Sequence, residues 1–179
     1  MATSAPVLVP LEEYLRTTYR PDRDWIDGET KERNLGEKPH ARIQAFFTRF
    51  LGNCEEEWHI LVYSEQRVQT SATHYRIADV CVCRAEDPDP AIVRTPPLLC
   101  IEVLSKDDTL SETLDRVNDY AAMGVTQVWV VDPLRRRVYM ANERGFEQPA
   151  SGELTVPGTP IRVSVDAIFE DLDKSMRRE

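Results

Sequence analysis

Residues 98–132 read LLCIEVLSKDDTLSETLDRVNDYAAMGVTQVWVVD, and their pattern decides the fold. Both ends are strand-sized apolar runs, and near-continuous apolar strands are buried on both faces. The stretch between them is helical in pattern. Asp107, Asp108 and Glu112 bring acid to its start, where the helix dipole favours negative charge. Leu110, Leu114, Val117 and Ala121 form the expected apolar stripe, and Gly124 suits the left-handed residue that closes a helix. Strand, crossover helix and strand make a parallel βαβ unit.

Working outward, HILVYSEQRVQT (residues 59–70) and YRIADVCVCR (75–84) each fit a strand, and a proline-rich connection (85–97) leads from them to Leu98. Before them, Ile43, Phe46, Phe47, Phe50 and Leu51 fall on one face of an amphipathic helix. Asp27-Gly28 is a hairpin turn dipeptide inside DWIDGETKERN, and LEEYLRTTY reads as a short first helix. Past Pro133, RRRVYMANERGFEQ fits a hairpin and VSVDAIFEDL a closing helix. The expected class is α/β: a mixed central sheet with helices on its faces.

The composition sets limits. At 179 residues the chain suits one well-buried core. Its net charge of −9 argues against a protein that coats nucleic acid nonspecifically, although an enzyme on a polyanion needs only a local basic lip. Arg135–Arg137 and the C-terminal MRRE are the basic clusters, and solvated turns and tails account for most such runs. Four cysteines do not make a disulfide scaffold, and MATSAPVLVPLEEYL has neither the basic nor the apolar region of a secretory leader, so a cytoplasmic location is expected.

Glu102 interrupts the first apolar run. Ionised and unpaired in an interior, it would cost on the order of several kcal/mol. A proton, a cationic side chain or a metal ion must offset that. Asp79 raises the same question between Ile77 and Val80. If the two strands pair as a hairpin, both carboxylates can leave the same face within a few ångströms of each other. A divalent ion would then relieve their repulsion, and oxygen donors suit Mg²⁺. Equally open are pairing with Arg76 or Arg116, capping of the helix at Asp108, and emergence at the sheet edge. Cys81 and Cys83 share a face with Asp79, and Cys100 shares one with Glu102. A mixed zinc site is conceivable, while buried cysteine ordinarily packs as a small apolar residue. His40 is expected to cap a helix or lie on the surface.

Several of these segments together resemble the Uma-two restriction endonuclease family of the PD-(D/E)XK nuclease superfamily. DWIDGE (24–29) is similar to its acid-x-I-D-G-E segment, and His40 stands at its histidine position. YRIADV (75–80) resembles R-x-P-D-V, IEVLSKDD (101–108) its E-V-L-S segment, and YAAMGVTQVWVVDP (120–133) its Y-x-x-x-G-V-x-x-Y-W-V-V-D-P; VDAIFEDL (165–172) also fits. The resemblance implies a restriction-endonuclease-like core forming one domain over residues 1–179. It implies Mg²⁺-dependent hydrolysis of DNA phosphodiesters, with Mn²⁺ as substitute, by a homodimer, since cutting two strands calls for two sites. Asp79, Glu102 and the main-chain carbonyl of Val103 would hold the metal, Asp24 would support them, and Arg116 would stand where relatives carry a lysine. Ala78, Asp24 and Arg116 replace the pattern's proline, glutamate and lysine. Arginine stabilises phosphate charge but stays protonated, so Arg116 could replace a lysine whose role is electrostatic, whereas a step that moves a proton through that lysine would be lost. Lys106 is the lesser cationic candidate. The alternatives are a module that keeps the fold without catalysis and, more distantly, a metal-free acid–base hydrolase on the same carboxylates.

Overall fold

A computed structural model describes residues 8–34, 36–88, 91–142 and 144–177. In chain order the elements are α1 (Leu11–Arg16), β1 (Arg23–Ile26), β2 (Glu29–Glu32), α2 (Lys38–Gly52), α3 (Glu55–Trp58), β3 (Ile60–Gln69), β4 (His74–Arg84) and β5 (Leu99–Val103). They continue with α4 (Leu110–Met123), β6 (Gln127–Asp132), β7 (Arg137–Asn142), β8 (Gly145–Glu147), β9 (Glu153–Thr155), β10 (Arg162–Ser164) and α5 (Val165–Met176). Eight strands form one mixed sheet with the path β2-β1-β4-β5-β6-β7-β8, and β3 pairs β4 in addition. β5 and β6 are parallel, as the apolar strand–helix–strand pattern requires, and β4 runs antiparallel to β5. Asp27 and Gly28 both have positive φ, the backbone that a two-residue hairpin turn demands, and glycine adopts it freely.

Helices cover both sheet faces. On one, Ile43, Phe46, Phe47 and Leu51 of α2 and Ile168, Phe169 and Leu172 of α5 enclose Val80, Val82, Ile101, Trp129 and Val131. On the other, Val117 and Tyr120 of α4 pack with Cys81, Cys100, Val128 and Val130. Strand residues alternate between these two clusters because successive side chains leave a strand on opposite faces.

Two sequence expectations change. The buried face of α4 is Thr113, Arg116, Val117 and Tyr120, while Leu110, at the head of the expected stripe, is 67% exposed. The reason is electrostatic: α4 lies over the buried Glu102, so its inward face carries Arg116 and Tyr120 as partners for that carboxylate. Its start is Thr109, whose hydroxyl accepts from the Glu112 N–H while Glu112 accepts from the Thr109 N–H, a capping box. Asp107 and Asp108 thus precede the helix. The β9–β10 hairpin is the second change, because its three-residue strands are too short to show a period.

Candidate active site

β4 is the strand on which the site is built. Along one edge it pairs with β3 from Tyr75 to Arg84. Along the other it meets β1 at His74 and Tyr75 and β5 at Val80–Val82. Between β1 and β5, residues 76–79 have no strand partner on that edge, and backbone groups left so must find other partners. Side chains supply them. Asp24 Oδ1 accepts from the Ile77 N–H at 3.0 Å, and Arg33 Nη1 donates to the Ile77 carbonyl. Opposite, the Val103 N–H at the end of β5 donates to Asp79 Oδ2 at 2.7 Å.

The register of β4 and β5 pairs Val80 with Ile101, and one further step sets Asp79 against Glu102. Both are buried, Glu102 completely. Their free oxygens converge on one cation, and it is a side chain. Arg33 Nη2 lies 2.6 Å from Asp79 Oδ1 and 3.5 Å from Glu102 Oε2, while its Nη1 lies 3.9 Å from Asp24 Oδ1. Arg116 approaches from α4, with Nη1 3.5 Å from Glu102 Oε2 and Nη2 3.4 Å from Asp108 Oδ1. Tyr120 closes the roof by donating its hydroxyl to Glu102 Oε1 at 2.8 Å. His40 on α2 brings Nε2 to 3.4 Å from Asp79 Oδ2.

The two acids respond differently to this shared environment. Burial raises the Asp79 pKa, but Arg33 and then His40 outweigh it and hold the carboxyl below its ordinary range. For Glu102, burial, reinforced by the Asp79 charge, exceeds the pull of Arg33 and Arg116, and the pKa rises. Burial works against the Arg33 charge too, yet Asp79, Glu102 and Asp24 raise its pKa well above the usual value. His40 is shifted up in the same way, its hydrogen bond with Asp79 overcoming burial. Neighbouring acids driven in opposite directions are a mark of functional sites.

The candidate site residues now have places, while Arg178 and Glu179 of the C-terminal basic cluster lie outside the described residues. Asp79, Glu102 and Arg116 come together. Asp24 is adjacent, with both oxygens engaged: Oδ1 by Ile77, Oδ2 by Arg76 Nη1 at 3.0 Å. Arg76 therefore pairs with Asp24 and, through Nε at 2.6 Å, with Asp119, and not with the central pair. Lys106 turns to Glu37 at 2.7 Å and is largely exposed, away from the central carboxylates. Cys81 and Cys83 stand 3.9 Å apart at sulfur, inside an apolar cluster that also takes Cys100. A hydrogen bond with Cys100, together with burial, keeps the Cys81 thiol well above its ordinary pKa, the reverse of what a thiolate ligand needs. Among the described residues no group of three or more His, Cys, Asp and Glu side chains has a metal-holding arrangement. His40, expected from the sequence to cap a helix or lie on the surface, instead reaches into the site. Arg33 was missed altogether: it follows a hairpin in a polar run, and nothing local marks a residue whose partners lie 46 and 69 positions away.

A cleft of about 530 Å³ opens beside Arg33 and Asp79 and is lined as well by Tyr19, Arg20, His40 and Gln44. The site therefore has access from solvent. Paired strand carboxylates bridged by a guanidinium beside an open polar cleft make up the candidate site of this mixed α/β fold. Comparison with known proteins supplies the class. Residues 11–166 match the Uma2 family, described as "Putative restriction endonuclease", and the chain belongs to that family. The fold is similar to a crystal structure from Anabaena variabilis described as "a putative nuclease belonging to DUF820". The two share 18% identity with a TM-score of 0.78, over 93% of this chain and 99% of that one. No curated protein matches the sequence.

Proposed function

We propose that the protein is a metal-dependent endonuclease that hydrolyses DNA phosphodiesters, a cytoplasmic, one-domain enzyme acting as a homodimer. One observation carries the reading: free oxygens of Asp79 and Glu102 already share a single cationic nitrogen, Arg33 Nη2. Oxygen donors converging on a point charge suit Mg²⁺ or Mn²⁺ at the same point. Asp79, Glu102 and the Val103 carbonyl would hold the ion. When bound, it would supply Lewis acidity and a lower pKa for bound water.

The rest of the chemistry belongs to the chain's own side chains. Arg116 stays charged at every working pH and offsets charge that builds on the scissile phosphate. Tyr120 fixes the Glu102 carboxylate through Oε1 and leaves Oε2 toward the cation. Asp24 is a positioning residue, tying β4 to β1 through Ile77 and Arg76. His40 can hold a proton at Nε2 beside the cleft.

A second reading is favoured by the same guanidinium. Arg33 and Arg116 neutralise the acids without an ion, as expected of a module that kept the fold and lost the chemistry. Plasmid incubated with Mg²⁺ or Mn²⁺ separates them. The nuclease reading expects nicking by the wild type and none by folded Glu102→Gln. Equal nicking by both proteins rejects the carboxylate mechanism, and no nicking together with no heat of Mn²⁺ binding favours the module.

A further inference from the structure

Arg33 is the least expected member of the site, and its guanidinium stands between the carboxylates and the cleft. Its side chain is 14% exposed and lines the 530 Å³ cleft on one side while pairing with three carboxylates on the other. Its backbone is fixed: the Arg33 N–H donates to the Asp22 carbonyl at 3.0 Å, and next to it Asn34 Nδ2 donates to Asp108 Oδ1 at 3.0 Å. The guanidinium is thus the part that can change place, and in doing so it gives up its hydrogen bond to the Ile77 carbonyl. It cannot leave alone, because Asp79 and Glu102 would then face each other in the interior with Arg116, His40, Tyr120 and the Val103 N–H beside them but without the cation they share. It can leave when another cation arrives.

We propose that Arg33 is an exchangeable internal counter-ion: a divalent cation displaces it from between Asp79 and Glu102, and the freed guanidinium turns into the cleft to grip a phosphate of the nucleic acid. This rests on the nuclease reading above and extends it. With an ion on Asp79, the permanently charged side chains lining the cleft are Arg20 and Arg33 against Asp22 and Glu65. A planar guanidinium there can hold a phosphate through two hydrogen bonds. Two consequences follow. Metal binding alone is weakened, because Arg33 must be expelled. Metal and nucleic acid also strengthen each other's binding, since each favours the same displaced Arg33, and such coupling is reciprocal.

The test is calorimetric titration of Mg²⁺ into the wild type, Arg33→Gln, Arg33→Lys and Asp79→Asn. Each is measured alone and with a short phosphorothioate DNA duplex, which keeps the backbone charge and resists cleavage. Removing the competitor should tighten Mg²⁺ binding to Arg33→Gln alone by roughly tenfold or more. The duplex should tighten Mg²⁺ binding to the wild type by a larger factor than to Arg33→Gln, in which only direct attraction between ion and phosphate remains, with Arg33→Lys between them. Equal affinities for wild type and Arg33→Gln, both abolished in Asp79→Asn, overturn the exchange and leave the metal site standing. If no protein binds Mg²⁺ through Asp79, the exchange and the nuclease reading fall together. Should Arg33→Gln not fold, the wild type decides: Mg²⁺ saturation must shift the Arg33 guanidinium ¹⁵N resonance, and an unmoved resonance overturns the proposal.

Discussion

Tyr120 donates its hydroxyl to Glu102 across 2.8 Å, joining the inward face of α4 to the centre of the sheet where neither group meets water. Removing only that hydroxyl leaves Oε1 of a buried carboxylate without its donor. Tyr120→Phe should therefore lose on the order of 1–3 kcal/mol of stability, read as a lower urea midpoint at unchanged slope. An unchanged midpoint would mean that the hydrogen bond contributes nothing net.

Asp79 and Glu102 should give the protein two opposed dependences on pH. Asp79 has a depressed native pKa, so its contribution is present above the unfolded carboxylate range and is lost as pH falls through the native value. Glu102 is raised, so its contribution is complete below the unfolded value and is lost as pH rises through the native one. Glu102→Gln is accordingly expected to match the wild type in acid and at least equal it at neutral pH. Asp79→Asn is expected to be less stable at neutral pH, by on the order of 3–5 kcal/mol for a broken buried pair, with the gap closing in acid. Denaturant melts across the acid-to-neutral range check both. Gaps that move in the same direction for the two variants would refute the opposed assignment.

The central strands, the parallel unit and helix α2 were legible because each buries enough apolar surface for its period to show. Asp79 and Glu102 were legible for the opposite reason, as charges interrupting those apolar runs. Arg33 was not: its role depends on a β1–β5 gap that exists only once the sheet is assembled. The stripe assigned to α4 holds at Val117 and fails at Leu110 on the same ground. Hydrophobic period finds the face a helix would bury in an apolar core, whereas α4 turns Arg116 and Tyr120 toward carboxylates.

That reassignment is itself open to measurement. Leu110 is 67% exposed whereas Trp129 is fully buried between the sheet and α2. Leu110→Ser should change stability by less than about 0.5 kcal/mol, as surface substitutions do. Trp129→Ala should cost about 3–5 kcal/mol from lost burial and the cavity left behind. A loss of comparable size at Leu110 would restore the stripe read from the sequence.

Gly36 holds His40 in the site by being small. A Cβ at residue 36 would lie 2.5 Å from His40 Nδ1 and 2.7 Å from its Cγ, closer than any real contact. The backbone of Gly36 is outside the positive-φ region, so alanine there meets the ring and no backbone strain. The imidazole is the mobile partner, and it should swing away from Asp79. In the wild type that carboxylate raises the His40 pKa against the effect of burial, so His40 contributes stability below its unfolded pKa that is lost as pH rises through the native value. Gly36→Ala should bring the His40 titration, followed by NMR at its Cε1 proton, down from the wild-type position. It should also flatten this part of the pH–stability curve. A titration that stays at the wild-type position would show that the ring keeps its contact and that residue 36 does not set it.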